Sequence, residues 1–218
     1  SVLPHHRLVQ KECIDTWLAH GLKVNAVCSA DHIELLKPEF PNVVFHEINE
    51  KGKHYYNPTH RIVDILAICK NLNKPVALIN SDIQILGQQS ILRTPDHVLL
   101  MGIRYNYRTT PTTSSREQWG IDAFMFTPEM VDQIPKDFEF CIGKPMWDYW
   151  LPLHFRNLGY HLKGIGTPFF FHKYHTQHWS QRDWALGCKW IHDYYGKDKV
   201  DLPNAHKFRY SLPYPPGK

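Results

Sequence analysis

The residues with the clearest capacity for chemistry follow a short apolar run that ends abruptly at Asn80-Ser81-Asp82. This run, which begins after Pro75, is typical of a buried strand in a parallel sheet. In open α/β sheets, ligands bind beyond the carboxyl ends of the strands. A carboxylate at that position is costly without a partner such as a divalent cation. Asp82 is therefore either a metal ligand or the cap of the next turn, and the three residues alone favour neither.

A cluster of histidines lies further along the chain, at His172, His175 and His178. The three are spaced by three residues and follow a predicted strand end. Imidazole is a common ligand for Mn and Zn, so at least one of them is predicted to bind a metal or a phosphate. Packing on aromatic rings or facing solvent is the alternative. A three-histidine zinc site is disfavoured, because catalytic zinc ligands seldom lie so close together in sequence.

Asp148 lies between Trp147 and Tyr149, in the first turns of a predicted helix over residues 146–158. Aromatic surroundings can raise the pKa of a carboxyl group and suit it to act as a general base, while an indole face packs on a sugar ring. An aspartate at this position can equally stabilise the helix amino terminus through its dipole. Both interpretations stay open at this point.

Two further groups could bind a substrate. Asp122 comes early in a predicted strand, where it could hold an acceptor hydroxyl or pair with Arg104 or Arg116. Arg61 and Asp64 are three residues apart and share a face of a predicted helix. They could contact phosphate and ribose, or form an exposed ion pair.

The elements that would position these residues alternate between strand and helix in the first half of the chain. Strands are predicted at 23–29, 43–48 and 75–83, with helices at 4–21, after Asp31 and at 58–72. Such alternation with short connections predicts an α/β fold with a mainly parallel sheet. Residues 1–3 could be the tail of a first strand, most of which is absent.

The second half is less regular. Strands are predicted at 98–105, at 121–126 and within 161–172, with helices at 128–134 and 146–158. The polar segment 108–117 is predicted to be a mobile loop over one face. The aromatic and basic tail that begins at Trp179 is predicted to wrap the surface.

The composition limits the classes of protein that the chain can belong to. It has 218 residues, 43% of them hydrophobic and 21% charged, which is typical of one soluble globular domain. The net charge of +4 permits anionic ligands without demanding nucleic acid. The five scattered cysteines include no CxxC pair and predict buried free thiols in a reducing, cytoplasmic compartment. No apolar run approaches the roughly 20 residues of a membrane span, and no signal-peptide pattern is present.

Several enzyme classes have no support in the motifs. The sequence contains no GxGxxG, GxxxxGK[ST], HExxH or GxSxG. Dinucleotide oxidoreductases, P-loop enzymes, zincins and serine hydrolases are therefore not indicated.

In order and spacing, the motifs resemble nucleotide-sugar glycosyltransferases with the GT-A fold, from His5 to about Trp179. Asn80-Ser81-Asp82 is similar to the DxD metal motif of that family, with asparagine in place of the first aspartate. The similarity to a subgroup of these enzymes continues through residues 120–124, 142–143, 147–151 and 172–175.

The resemblance implies a fold, a reaction and a set of site residues. It implies one GT-A-like domain over 1–218, with a nucleotide-sugar-binding half at 1–83, an acceptor and catalytic half at 84–180 and a tail at 181–218. The sheet would be mixed, mainly parallel and flanked by helices. Asp82 with His172 or His175 would bind Mn or Mg, and Asp148 would be the catalytic base of an inverting transfer. Arg61, Asp64, Asn80 and Ser81 would contact the donor, and Trp119, Asp122 and Trp147 the acceptor.

The expected donor is a nucleoside-diphosphate sugar, a UDP-sugar first of all, while a glycan, lipid, protein or modified nucleic acid could each be the acceptor. The mild positive charge, the aromatic tail and the incomplete DxD motif allow a second hypothesis. In that hypothesis the chain is a non-catalytic glycan- or nucleic-acid-binding protein on a degenerate GT-A scaffold. A nucleotidyltransferase on a similar sheet is a third option.

Overall fold

The structure is a computed structural model that describes residues 7–55, 59–87, 96–175 and 180–196, without the side chains of 117–119 and 166. Six α-helices are described: α1 (Arg7–Ala19), α2 (Ala30–Leu36), α3 (Ile62–Asn71), α4 (Pro128–Val131), α5 (Trp147–Asn157) and α6 (Gln181–Tyr195). The described strands are β1 (Asn25–Cys28), β2 (Val44–Glu47), β3 (Val76–Ile79), β4 (Ile83–Ile85), β5 (Val98–Tyr107), β6 (Ser115–Phe126) and β7 (His161–Lys173). The predictions for residues 1–6, for the start of the helix at Pro58 and for His178 fall outside these ranges.

The strands form two sheets among the described residues. β1 and β2 make a parallel pair, and the other five strands follow the order β3-β6-β5-β7-β4. In the larger sheet β5 and β7 are parallel, whereas β3 with β6, β5 with β6 and β4 with β7 are antiparallel. The predicted mixed α/β class is confirmed.

The prediction of a mainly parallel sheet is wrong for the larger sheet. β3 has the apolar composition of a buried parallel strand, yet it pairs antiparallel with β6 and none of its four residues is fully buried. Composition indicates how apolar the two faces of a strand are, but it carries no information on the direction of the neighbouring strand. The strand–helix order of the first half, from β1 to β3, agrees with the prediction.

Two hydrophobic cores lie on the opposite faces of the larger sheet. Alternate residues of β6 enter different cores: Phe124 and Phe126 enter one, and Ala123 and Met125 the other. The first core contains residues of α3, α5 and α6, and the second contains residues of α1 and α2. Helices therefore cover both faces, and β6 lies at the centre of the fold.

Two predictions for the second half are corrected. The segment 108–117 is not a loop throughout, because it includes a 3₁₀ turn at Pro111–Thr113 and β6 begins at Ser115. Thr- and Ser-rich sequence is compatible with a strand once a neighbour pairs with it, and β5 does so through Asn106 and Ser115. The tail after Trp179 is not only a surface wrap, because residues 181–195 form α6.

The amino terminus of α6 carries a signal that sequence reasoning passed over. Ser180 and Asp183 form a capping box, in which the Ser180 side chain accepts from the Asp183 N–H at 3.2 Å. Asp183 also makes a buried ion pair with Lys144 at 3.3 Å. These contacts dock α6 against the segment that leads into α5.

The five cysteines are free thiols, and Cys188 alone among them is not fully buried, in agreement with the prediction. None of the helices in the described ranges is long and apolar enough to cross a membrane.

Acidification is expected to destabilise the fold through His154, which is buried in α5. The ring donates to the Gln133 carbonyl at 3.1 Å and accepts from the Tyr195 hydroxyl at 2.8 Å. Burial lowers the pKa of His154, although the hydrogen bond to Gln133 opposes this. The unfolded chain therefore binds a proton that the folded chain does not, and the free energy of unfolding falls as the pH drops below the unfolded value of about 6.5.

The measurement is urea unfolding at a series of pH values from about 7.5 down to 5.5. His154→Gln should show a shallower loss of stability over this range than the wild type. His161→Gln, at an exposed position, is the matched control and should keep the wild-type slope. A slope for His154→Gln equal to that of the control would contradict the prediction.

Candidate metal centre

The candidate centre lies where β4 meets the carboxyl end of β7. Asp82 is in the turn between β3 and β4, and the register places the next residue, Ile83, opposite His172. His175 follows two residues after the last residue of β7. The pairing of β4 with β7 therefore brings together an aspartate and two histidines that are about 90 positions apart in the chain.

The three side chains are close enough to share one ion. The Asp82 Oδ2 atom lies 3.1 Å from His175 Nε2 and 3.5 Å from His172 Nε2. The two Nε2 atoms are 3.1 Å apart. One ligand atom from each residue can be chosen so that all lie within 4.8 Å of one another. Among the described residues, the sequence-predicted set Asp82, His172 and His175 is the group with this geometry.

The other carboxylate oxygen of Asp82, Oδ1, is available to bind a further partner. Oδ1 is buried, and no described residue hydrogen-bonds to it. Burial raises the pKa of Asp82, but hydrogen bonds and charge from His172 and His175 more than offset this and hold that pKa well below its usual range. An ionised carboxylate with a buried, unsatisfied oxygen is a favourable ligand for a cation.

Asn106 fixes the orientation of His172. The register pairs Asn106 of β5 with His172 of β7, and the His172 Nδ1–H donates to Asn106 Oδ1 at 3.0 Å. Because Nδ1 is engaged with Asn106, Nε2 is the ring nitrogen that faces Asp82 and His175. This is the outer contact that metal-binding histidines commonly make. Sequence reasoning missed Asn106, because the β5–β7 register that selects it cannot be read from the residues of β5.

A second polar group lies next to the centre and is buried. Asp122 accepts from Asn80 Nδ2 at 2.6 Å and pairs with Arg104 at 3.1 Å. Burial raises the pKa of Asp122, and the Arg104 guanidinium opposes the rise. The pairing with Arg104 was one of the two sequence expectations for this residue. Asp122 is 6% exposed. Its hydrogen bond to Asn80 supports the turn that contains Asp82.

Asp148 lies in the first turn of α5 and is half-buried. The preceding Trp147 is buried, with its ring 5.4 Å from that of Phe124 in edge-on contact. Phe124 belongs to the core that α3, α5 and α6 cover, so the start of α5 packs on that face of the larger sheet. Trp147 therefore occupies a core position, where its indole packs against the sheet and does not form an open stacking surface.

The other predicted site residues have the following contacts. Arg61 is bidentate to Asp64, at 2.8 and 2.9 Å, and also reaches Glu139 at 3.3 Å. Arg61 and Asp64 therefore form the predicted ion pair at the start of α3, but this pair is partly buried and not fully exposed. Ser81 accepts from Gln10 Nε2 at 2.7 Å. The side chain of Trp119 lies outside the described residues.

Comparison of the sequence with protein-family models gives no match, and comparison with curated proteins gives none either. The chemistry of the site therefore has to be inferred from its own geometry. A carboxylate and two imidazoles can hold a borderline or hard divalent cation and leave coordination positions open for an oxygen ligand.

Removing the outer contact should weaken metal binding. Asn106→Ala leaves His172 free to rotate and to change tautomer, so we expect Mn²⁺ affinity to fall roughly 10- to 100-fold. Titration calorimetry, or the loss of the free Mn²⁺ resonance in electron paramagnetic spectra, measures it. Asn49→Ala, at an exposed position, should bind as the wild type does. Equal affinity in all three proteins would show that Asn106 does not orient a ligand.

Proposed function

We propose that the chain is a metal-dependent glycosyltransferase of the GT-A type, which moves a sugar from a nucleoside-diphosphate sugar to an acceptor hydroxyl. The observation that carries the proposal is the Asp82–His172–His175 cluster, in which one ligand atom from each residue lies within 4.8 Å of the others. Asp82 Oδ1 is buried with no hydrogen-bond partner in the described part of the chain. Within the cluster, Asp82 follows the end of β3, directly after Asn80 and Ser81. The motifs follow the same order along the chain as in GT-A glycosyltransferases, and this resemblance is the reason for assigning the cluster to the donor site.

The ligands of the ion would be a carboxylate oxygen of Asp82 and the Nε2 atoms of His172 and His175. Their donor set suits Mn²⁺, with Mg²⁺ as the alternative. When bound, such an ion supplies positive charge that stabilises the departing diphosphate. Asn106 holds the His172 ring so that its Nε2 atom is directed at the position of the ion.

Asp148 is assigned the role of base in a single displacement. It accepts the proton of the acceptor hydroxyl as that oxygen forms a bond to the anomeric carbon. The bond from this carbon to the diphosphate oxygen breaks at the same time, so the anomeric configuration inverts. Asp148 is suited to the role by its position in the first turn of α5, half-buried beside the packed Trp147.

Arg61 and Asp64 at the start of α3 and Ser81 after β3 are assigned to the donor side, and Asn80 supports that side through its hydrogen bond to Asp122. Trp119 keeps its assignment to the acceptor side, as the resemblance implies. The burial of Asp122 and Trp147 means that they position the site and do not present a face to the acceptor. The guanidinium of Arg61 is already paired with Asp64 and Glu139, so a phosphate contact would require one of these carboxylates to give way.

The direct test is release of nucleoside diphosphate in the presence of Mn²⁺. A panel of UDP- and GDP-sugars, with water and simple glycans as acceptors, should contain at least one donor that is consumed. Chelation with EDTA should stop the reaction, and added Mn²⁺ should restore it. Absence of both turnover and donor binding throughout the panel would contradict the proposal. Salt-sensitive binding of polynucleotide without turnover would favour the non-catalytic alternative.

A further inference from the structure

The buried face of α6 contacts the turn that leads into α5. The buried residues of this helix are Asp183, Gly187 and Ile191, which are spaced by four positions and form one stripe. Asp183 makes an ion pair with Lys144 at 3.3 Å, and both side chains are only 6% exposed. Ile191 belongs to the same hydrophobic core as Trp147, the first residue of α5. The stripe therefore lies against both the turn before α5 and the core around that helix.

At Gly187 the helix and the turn are too close for a side chain. A Cβ atom at this position would lie 2.7 Å from both Cβ and Cγ of Met146 and 3.2 Å from the Pro145 carbonyl oxygen. Carbon atoms in favourable contact are about 3.5–4.0 Å apart, so a larger residue would displace the turn or the helix. Glycine within a helix lowers stability relative to alanine. The close contact with Met146 explains why α6 has glycine here.

Met146 has a backbone conformation that residues with side chains rarely adopt. Its φ of 81° and ψ of −15° lie in the left-handed region, where a bulky residue is unusual. The residue is 0% exposed. Strain of this kind persists only where the surrounding structure enforces it, and it is concentrated at functional sites. Gly187 and the Lys144–Asp183 ion pair hold the turn from the side of α6 and so enforce this conformation.

The first hydrogen bonds of α5 are made by Met146. Its carbonyl oxygen accepts from the Trp150 N–H at 2.8 Å and from the Tyr149 N–H at 3.2 Å. Asp148 lies within the turn that these two bonds close. A change in the backbone of Met146 would rotate this carbonyl and alter the direction in which the first turn leaves it. Misplacement of a reacting group by about 1 Å can lower a rate by roughly 10²-fold.

We propose that α6 holds the first turn of α5 in place, and that Gly187 and the Lys144–Asp183 ion pair are positioning residues for Asp148. This role rests on the proposed function, in which Asp148 is the base. The positioning residues act on the reaction only through the turn at Met146. Because the candidate metal centre lies between β4 and β7, loosening this turn lowers the rate of proton transfer and leaves Mn²⁺ binding unchanged.

Two variants loosen the turn by different means. Gly187→Ala introduces the close contact with Met146, whereas Lys144→Met removes the ion pair and adds no bulk to α6. Ile191→Val is the matched control, because it shortens the third side chain of the same stripe and loses core packing without altering the contacts of the turn. If Gly187→Ala does not fold, Lys144→Met provides the same test.

Hydrogen exchange of the Tyr149 and Trp150 amides measures whether the turn is held, independently of activity. We expect exchange at these two amides to be about tenfold or more faster in Gly187→Ala and in Lys144→Met than in the wild type. Amides of β5, an inner strand, serve as the internal reference. Ile191→Val should show the wild-type ratio between the two sets of amides.

Turnover of donor measures whether the turn positions the base. In both loosened variants kcat should fall about tenfold or more, with Mn²⁺ affinity unchanged, and azide should restore consumption of the donor because it needs no deprotonation. In an Asp148→Asn background, Gly187→Ala should cause no further loss, since the group that it misplaces is already absent. Ile191→Val should retain the wild-type kcat. A loss of stability alone would produce neither the rescue by azide nor the non-additivity.

Wild-type exchange of the Tyr149 and Trp150 amides in both loosened variants would overturn the proposal at any level of activity. Faster exchange with unchanged kcat, or a loss of kcat that persists in the Asp148→Asn background, would overturn the positioning role while the proposed function stands. If the wild type neither binds nor consumes any donor, the proposed function and the positioning role fail together. The wild-type measurement therefore separates the two failures.

Discussion

Replacing Asp82 with asparagine should abolish Mn²⁺ binding and lower kcat/KM for the donor by about 10³-fold or more. The substitution keeps the shape of the side chain but removes the charge that His172 and His175 surround. It also replaces an oxygen of the carboxylate with an amide nitrogen, which cannot ligate a cation. Oδ2, which lies 3.1 Å from His175 Nε2 and 3.5 Å from His172 Nε2, is the oxygen whose replacement should matter most.

The measurement combines Mn²⁺ titration with donor turnover on the same preparation. Asp132→Asn is the matched control, because Asp132 is an exposed aspartate that pairs with Lys70 outside the candidate centre. The control should bind Mn²⁺ and turn over donor as the wild type does. Circular dichroism establishes that Asp82→Asn is folded, so that a loss is not due to unfolding. Wild-type turnover by folded Asp82→Asn would remove the metal from the proposed mechanism.

Asn80 illustrates what the sequence pattern could and could not reveal. Compared with a DxD motif, asparagine at this position reads as a lost metal ligand. In the structure its amide donates to the buried carboxylate of Asp122 at 2.6 Å. An aspartate there would place two carboxylates in contact inside the protein, which is strongly unfavourable unless one of them is protonated. The residue is thus a structural partner of Asp122, and that role depends on a strand pairing that a three-residue motif does not contain.

The members of the cluster were predictable because aspartate and histidine are recognisable in a sequence as residues that can bind a metal. An aspartate after an apolar run and histidines after a predicted strand are visible as such, and the structure brings Asp82, His172 and His175 together. The contacts that orient them were not predictable. Asn106 is selected by the register between β5 and β7, and Arg104 by the packing of Asp122 beneath the turn. Those contacts are set by tertiary pairing, for which local sequence gives no rule.

The same distinction applies to the fold. The helices α1 and α3 were predicted from apolar residues at helical spacing, because burying one stripe of a helix leaves that pattern in the sequence. The direction of the strands was predicted correctly for β1 and β2 but not for most of the larger sheet, since an apolar strand is compatible with parallel and antiparallel neighbours alike. α6 was missed although Ser180 and Asp183 mark its start. Its aromatic and basic composition was taken for a surface segment, whereas Ile191 and Gly187 are buried against the rest of the protein.

Replacing Asp148 with asparagine should lower kcat by roughly 10²- to 10⁴-fold, the range expected for removal of a general base. Mn²⁺ and donor affinity should stay close to those of the wild type, because Asp148 lies on α5 and the cluster lies between β4 and β7. This split between turnover and binding separates Asp148 from Asp82, whose replacement should affect both. Donor turnover and donor titration on the same preparation measure it.

Azide gives a sharper test of the proposed role. It is a nucleophile that needs no deprotonation, so it should restore consumption of the donor by Asp148→Asn and yield a glycosyl azide of inverted configuration. It should not rescue Asp82→Asn, which lacks the metal site. Asp193→Asn is the control within a helix, since Asp193 is exposed on α6 and pairs with Lys189. It should retain wild-type turnover with and without azide.

The alternative role for Asp148 predicts a different result. If the carboxylate only stabilises the amino terminus of α5 through the helix dipole, Asp148→Asn should lose about 0.3–1 kcal/mol of unfolding free energy. Its kcat would then be nearly unchanged, and azide would have no effect. A base that acts on the acceptor predicts the reverse, with a large loss of kcat, recovery by azide and little change in stability. Urea unfolding and donor turnover, measured on the same variant, therefore decide between the two roles of this one carboxylate.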